Sequence, residues 1–244
     1  MYGVMDEIEI AKRAIHLSFP GLRMEAPLIR DVEEVGRGVF GKFPIMTGKV
    51  YRATDINRAQ RIALKRVQKF STKMSREVEI LYALRNEPHC VQMLDFFFSF
   101  EDRAMIMNIA FEYIPMTLED MLDEFTQKNK KFTLKQIKTI MKELLIGMDE
   151  IHSKGIIHRD IKPDNIFIRE DLSVIKFGDF GASKYENKSI PCYPTRVSKS
   201  YRAPELMCGT SVHTTKLDIW SLGCVFLELF TLYPFFDRMK EDSQ

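Results

Sequence analysis

The sequence predicts an α+β protein of two lobes, a small β-rich one followed by a mainly helical one. Three features of its patterning lead there. Residues 28–114 are dominated by short runs of β character with one helical stretch among them. After Pro115 the apolar residues recur at helical spacing. Near the C-terminal end, Leu217 to Leu232 is apolar around nearly its whole circumference.

Taken in order, the first 27 residues carry no motif, although Ile8 to Leu17 has the pattern of a short amphipathic helix; they are read as an N-terminal extension. In the lobe at 28–114, Arg61 to Val67, Val91 to Phe98 and Ala104 to Tyr113 are short and rich in β-branched and aromatic residues, as strands are. Met74 to Arg85 is the helical stretch among them. In the lobe at 115–244, Ile137, Ile140, Met141, Leu144, Leu145, Met148 and Ile151 fall at spacings of three and four and form one apolar stripe. That predicts a helix facing a core. The all-round apolar run LDIWSLGCVFLELFTL predicts a helix buried at the centre of the lobe. No internal repeat or low-complexity segment interrupts this scheme.

Composition narrows the function classes. The 244 residues are 45% hydrophobic and 29% charged, and 36 basic residues against 34 acidic leave a formal charge of +2. With no long single-sign block, neither a nucleic-acid nor a membrane-surface partner is expected. Cys90, Cys192, Cys208 and Cys224 lack metal-ligand spacing, and Asp6, Glu7 and Glu9 break the apolar run a signal peptide needs. A soluble protein of the reducing cytoplasm or nucleus is expected. The most apolar stretch, Ala104 to Ile114, is far shorter than the roughly 18 residues of a membrane span.

The strongest chemical signal is IHRDIKPDN at Ile157 to Asn165, which matches the five fixed positions of HRDxKxxN. Phosphoryl transfer passes through a loose transition state, so it needs positioning and charge neutralisation more than covalent chemistry. A carboxylate near the incoming hydroxyl and a metal ligand close by meet that need, and Asp160 and Asn165 fit the two roles. Lys162 is placed to steady the moving phosphoryl group. The competing reading is that Asp160 and Asn165 only shape a turn while His158 fills a core. Fourteen residues beyond Asn165, Asp179 stands in DFG after the β-like Val174 to Phe177, where a carboxylate can bind a magnesium ion bridging ATP phosphates. Upstream, IALK puts Lys65 on a strand, and Glu77 follows twelve residues later on the helical segment. A Lys and a Glu at that separation are ordinarily a surface pair worth about 0–1 kcal/mol; the order of the motifs is what singles this pair out.

Taken together, GRGVFG, IALK, HRDIKPDN, DFG, YRAPE and DIWSLG resemble the protein kinase superfamily over about Leu28 to Asp237. YRAPEL is similar to the group of cyclin-dependent, MAP and glycogen synthase kinases (CMGC), and MNIAFEYIP, VIKFGDFGASK and SKSYRAPEL look most like glycogen synthase kinase. The resemblance implies a Ser/Thr protein kinase using ATP and Mg2+, with Lys162 marking Ser/Thr rather than Tyr as acceptor. It implies ATP between the lobes: Val35, Gly36, Gly38, Phe40 and Gly41 over the phosphates, Ala63 above and Phe167 below the adenine, Phe111 as gatekeeper, and backbone groups of Glu112 and Ile114 at its edge. Glu77 would aim Lys65 at the phosphates, with Asn165 and Asp179 on the metal. Glycogen synthase kinases favour substrates already phosphorylated near the target, and their three phosphate-holding basic residues match Arg76, Arg159 and Lys184. The alternative is that Arg159 belongs to any such kinase and the other two are incidental surface charges.

Three departures from the family pattern stand out. Thr195 occupies the place of an activating tyrosine, with Tyr193 two residues earlier, leaving both as candidate phosphosites; Ser198 is expected to support Asp160 and Lys162. Gly-Lys occurs twice, at Gly41-Lys42 and Gly48-Lys49, as though seven residues near 43–49 were inserted. That insertion would bulge outward, displace the glycine loop, or reflect an unspliced piece of the gene. Finally, the family continues with further helices beyond the helix of Asp218, Trp220 and Gly223. From the resemblance, Glu205 is expected buried without its arginine partner and the exposed face of that helix is expected to be an apolar patch, lowering stability. An inactive kinase-like scaffold or a nucleotide sensor therefore stands as the alternative function, with protein substrates, and for a scaffold a protein partner, as the implied partners.

Overall fold

The computed structural model describes residues 28–37, 48–69, 75–101, 104–186 and 198–236. They form two compact units: one from the described residues up to Arg85 together with Gln92–Tyr113, the other from Asn86–Val91 and the described residues from Ile114 onward.

The first unit is an antiparallel sheet of β1 (Ile29–Arg37), β2 (Lys49–Asp55), β3 (Gln60–Lys69), β4 (Met93–Glu101) and β5 (Ala104–Glu112) in the order β1-β2-β3-β5-β4, with helix α1 (Arg76–Ala83). Alternation along β3 sets the sheet's two faces. Ile62 and Leu64 join Ala53, Phe97 and Ala110 in a core, while Lys65 points the other way. Asn108, buried in mid-strand, is tolerated because it is fully engaged: its amide nitrogen donates to Ser99 Oγ at 2.9 Å and its oxygen accepts from Arg66 Nε at 3.0 Å. The β2–β3 turn is closed by Asp55, whose carboxylate accepts from the backbone N–H groups of Asn57 and Arg58.

The second unit begins with β6 (Met116–Thr117) and helices α2 (Leu118–Gln127) and α3 (Leu134–Ser153). Each helix opens with a reciprocal cap, Thr117 with Asp120 and Thr133 with Gln136, which satisfies amides that helix starts leave unpaired. The stripe on α3 buries Ile137, Ile140, Leu144, Met148 and Ile151, but Leu145 departs from expectation and is 53% exposed. Gly147 takes the inward position instead: a Cβ there would lie 2.5 Å from His89 Cβ and 3.1 Å from the Phe177 ring. Strands β7 (Ile156–Ile157) and β10 (Lys184–Tyr185) pair with each other, and β8 (Ile166–Ile168) pairs with both β6 and β9 (Ile175–Phe177). Short helix α4 (Pro204–Met207) precedes α5 (Lys216–Thr231).

Two sequence expectations are corrected here. Helix α5 is not buried all round: Leu217, Leu222, Val225 and Leu229 face inward, whereas Ile219, Phe226, Leu227 and Phe230 are exposed. An all-apolar circumference hides which face packs, because the moment that would mark it is small. Glu205 is exposed, so its carboxylate keeps its water and carries no burial penalty.

The side chain of His89 fastens the loop Asn86–Val91 to α3. His89 meets Glu150 Oε1 through Nδ1 at 2.6 Å and Glu143 Oε2 through Nε2 at 2.9 Å. Burial opposes its charge, but the hydrogen bonds to Glu143 and Glu150 and their negative charge outweigh that and raise its pKa. A raised histidine pKa stabilises the fold fully below the unfolded value of about 6.5 and loses that contribution as pH rises through the folded value. Denaturation followed across pH is therefore expected to show stability falling above about pH 6.5, a component absent in His89→Gln; superimposable profiles would contradict it. For Gly147→Ala, overpacking of about 1–3 kcal/mol outweighs the roughly 1 kcal/mol gained in helix propensity, so urea titration should show a net loss of stability.

Candidate active site

Within the first unit, β3 places Lys65 opposite Val50 on β2 and Ile109 on β5, and α1 carries Glu77 in its first turn. Lys65 Nζ lies 2.6 Å from Glu77 Oε1, with both residues buried. Burial distinguishes this from a surface pair: a charge-assisted bond shielded from water fixes where the ammonium sits. On the same strands Ala63 faces Phe111. The backbone N–H of Glu112 is spent on Gln92 O, and its carboxylate accepts the Gln92 N–H, so the end of β5 is locked.

Val35 and Gly36 fall on β1, beside an irregularity in its pairing with β2 between Glu34 and Gly36. Gly38, Phe40 and Gly41 lie outside the described residues. Of the two Gly-Lys pairs, the second feeds the strand: Lys49 opens β2 and faces Arg37.

In the second unit the catalytic loop leaves β7 and is held by the carboxylate of Asp218 on α5. Asp218 is wholly buried and accepts from the backbone N–H of His158 and of Arg159, each at 2.8 Å, while His152 Nε2 lies 2.9 Å away. Arg159 sits in the left-handed region, φ 69°, a conformation unfavourable for a side chain with a Cβ and kept by these contacts. The His158 ring donates from Nε2 to Gly178 O at 2.9 Å and accepts the Asp160 N–H on Nδ1 at 3.3 Å, so its partners set its tautomer.

Asp160 is gripped from two sides. Asn165 Nδ2 donates to its Oδ2 at 2.9 Å and to its main-chain oxygen at 2.8 Å, and Ser198 Oγ donates to its Oδ1 at 3.1 Å. Lys162 Nζ stands 3.9 Å from Asp160 Oδ2 and 3.8 Å from Asp164 Oδ2. Main-chain N–H of Gly178 donates to Asn165 O at 2.9 Å, which ties Asn165 to the segment bearing Asp179. A Cβ on Gly178 would meet the Phe167 ring at 2.4 Å, so only glycine lets the chain pass there. Asp179 follows at φ 52°. With its amide nitrogen committed to Asp160, Asn165 has its side-chain oxygen as ligand atom. Together with the Asp179 carboxylate this makes a hard-oxygen donor set, the chemistry that suits Mg2+. Among the described residues no His, Cys, Asp and Glu cluster of three forms a metal cage, and no helix is long and apolar enough to cross a membrane.

Arg159 and Lys184 come together, because β10 sets Lys184 opposite Ile157, two residues before Arg159. Both are buried, and Arg159 Nε donates to Ala182 O at 2.7 Å. Arg76 is an exposed first residue of α1. Ile114 is buried in the second unit, and Phe167 lies on β8. Tyr193 and Thr195 lie outside the described residues.

Sequence reasoning missed three contributors. Asp218 has a signal of its own, a lone acid at the start of an apolar helix. Glu228, on the same helix, accepts from the Tyr201 hydroxyl at 2.7 Å, and burial together with that negative charge pushes the Tyr201 pKa up. His213, buried beside Arg159, has no sequence signal at all.

A protein kinase domain model matches residues 29–244. The probable serine/threonine-protein kinase glkA of Dictyostelium discoideum is 35% identical over 213 residues, 87% of this chain and 42% of its own length. Protein kinase MCK1 of Saccharomyces cerevisiae is 33% identical over 205 residues, 83% of this chain and 53% of its own length. The chain thus spans about half the length of these curated relatives.

Removing the Asp218 carboxylate strands two buried amides, each costing about 1–3 kcal/mol. Asp218→Ala is expected to lower stability in urea by at least about 2 kcal/mol, and an unchanged midpoint would show the loop is held some other way.

Proposed function

The chain belongs to the protein kinase family, and from that premise we propose that it is a protein serine/threonine kinase transferring the γ-phosphate of ATP. The observation that carries the reading is the bracing of Asp160. Asn165 and Ser198 hold the carboxylate from either side and Lys162 stands within 4 Å, which is the preorganisation a transfer dominated by positioning requires.

In this reading Lys65, aimed by Glu77, steadies the ATP phosphates, and Asn165 and Asp179 hold Mg2+. The metal, when bound, neutralises charge on the phosphate oxygens. Asp160 orients the substrate hydroxyl and accepts its proton as the new O–P bond forms, while the bond from the γ-phosphorus to the β,γ-bridging oxygen breaks and leaves its electron pair on ADP. Lys162 offsets charge on the transferred group. Buried Lys65 and Glu77 make the first of these roles more than a surface ion pair.

The finer assignment, a glycogen synthase kinase-like member of the CMGC group that favours pre-phosphorylated protein substrates, is supported by the convergence of Arg159 and Lys184. Two cations, Arg159 at the start of the catalytic loop and Lys184 on the neighbouring β10, suit a phosphate dianion, and Arg76 is the third basic residue that the family resemblance adds. A cytoplasmic or nuclear setting accords with two buried thiols that do not invite oxidation, since burial raises the Cys90 pKa and pushes Cys224 up to about 11, and with an exposed Cys208 that forms no disulfide among the described residues.

Phosphate transfer from labelled ATP with Mg2+ to primed and unprimed Ser peptides tests both levels. Asp160→Asn should cut the rate by about 100- to 10,000-fold while leaving ATP binding intact, and the primed peptide should be preferred. Transfer unaffected by the substitution overturns the kinase assignment. Equal rates on the two peptides overturn the primed-substrate assignment alone.

A further inference from the structure

Helix α3 turns its apolar stripe inward and a row of positive charge outward. Lys135, Lys138 and Lys142 follow one another at spacings of three and four, which places them on one side of the helix, and all three are exposed. Lys131, exposed as well, stands just ahead of the Thr133 cap. Leu134, Leu145 and Ile146 share that side and are 67%, 53% and 40% exposed. Along the sequence these lysines are interrupted by apolar residues and form no charge run; winding the helix gathers them.

Their charge is largely unspent. Lys142 Nζ stands 3.8 Å from Glu143 Oε1, on a carboxylate that also meets His89. The side chains of Lys131, Lys135 and Lys138 make no hydrogen bond or ion pair among the described residues. Asp149, an exposed acid, closes the C-terminal end of the face. The helix gains nothing from this arrangement. A helix start is positive through its unpaired amides and aligned dipoles and so favours acids, as α2 shows with Glu119 and Asp120 in its first turn. The first turn of α3 has no acid and carries Lys135 instead. Like charges three or four residues apart also repel along a helix. A stripe that costs the helix on both counts is explained by a ligand from outside the chain.

The chemistry of the face says which kind. Helix α3 contains no Arg, Phe, Tyr or Trp, so nothing on it stacks on a base or forks onto a phosphate. A bilayer is a poor match, because the broad apolar stripe is spent on the core and leaves Leu134, Leu145 and Ile146 outside. Lysine is a point charge that suits single carboxylates. We propose that this face of α3 is a docking surface for a protein partner, which presents an acidic segment with apolar residues among its Asp and Glu. The carboxylates meet the lysines and the apolar side chains cover Leu134, Leu145 and Ile146. The lysines lie toward the N-terminal end of α3, whereas the catalytic loop follows its C-terminal end, so the surface is separate from the candidate active site.

The probe is a fluorescein-labelled Glu-rich peptide with interspersed Leu, read by polarisation against the whole chain, beside the same peptide with every Glu replaced by Gln. The Glu peptide should bind, and added salt should weaken it, because exposed charges are screened. Lys135→Glu combined with Lys138→Glu should weaken binding at least about fivefold. Those changes put acids at the helix start, so the urea midpoint should not fall and the loss is not one of folding. Lys199→Glu combined with Lys216→Glu, an equal change of net charge at exposed positions off this face, should bind as wild type does. Glu and Gln peptides that bind alike, a Lys135/Lys138 variant that binds as wild type, or an equal loss in the Lys199/Lys216 variant overturns the proposal. It is overturned too if the Glu peptide fails to bind while phosphatidylserine vesicles or single-stranded DNA bind through the same lysines.

Discussion

The second unit depends on one buried carboxylate. Asp218 has no exposure to water, and an isolated charge there would be prohibitive; it persists because two backbone amides and the His152 ring surround it. That requirement runs in both directions. Satisfying Asp218 brings the 158–159 amides onto α5 and joins them to the end of α3, and the left-handed turn at Arg159 is the conformation that lets both amides point at one side chain. From there the order propagates: the His158 ring reaches Gly178 O, Gly178 N–H reaches Asn165 O, and Asn165 braces Asp160.

Helix α5 continues this work along its length. Its inward face is mostly apolar, yet Ser221 donates to Tyr201 O and Glu228 accepts the Tyr201 hydroxyl. A hydrophobic helix with three polar residues facing inward thus serves as the post to which the catalytic loop and the 198–206 segment are tied. Hydrogen bonds to a charged, buried acceptor are stronger than neutral ones and directional, so they specify geometry in a way that apolar packing alone does not.

The first unit solves a different problem. Lys65 is held in place rather than left to solvent: its ammonium meets Glu77 with both residues buried, and the regular β2–β3–β5 register fixes the stem of the lysine. Such a pair adds little to stability after desolvation of both partners. Its value lies in holding an ammonium at a set place on a rigid sheet.

The sequence by itself determined the β character of the first lobe, the apolar stripe that builds α3, and the chemical groups of HRDIKPDN, DFG and the Lys65–Glu77 pair. These are legible because each depends on residues close along the chain or on fixed spacing. Tertiary structure alone decided the rest. Leu145 reads as core by its spacing but is exposed, because Gly147 is the position pressed against His89 and Phe177. The apolar circumference of α5 does not say which side packs. The burial of Glu205, expected from resemblance, fails because its side chain reaches water. Asp218 meets the catalytic loop about sixty residues away in sequence, and His213 meets Arg159 across a similar span. Local patterns record what a residue prefers; which distant partner it meets depends on how the chain closes, and only packing in three dimensions sets that.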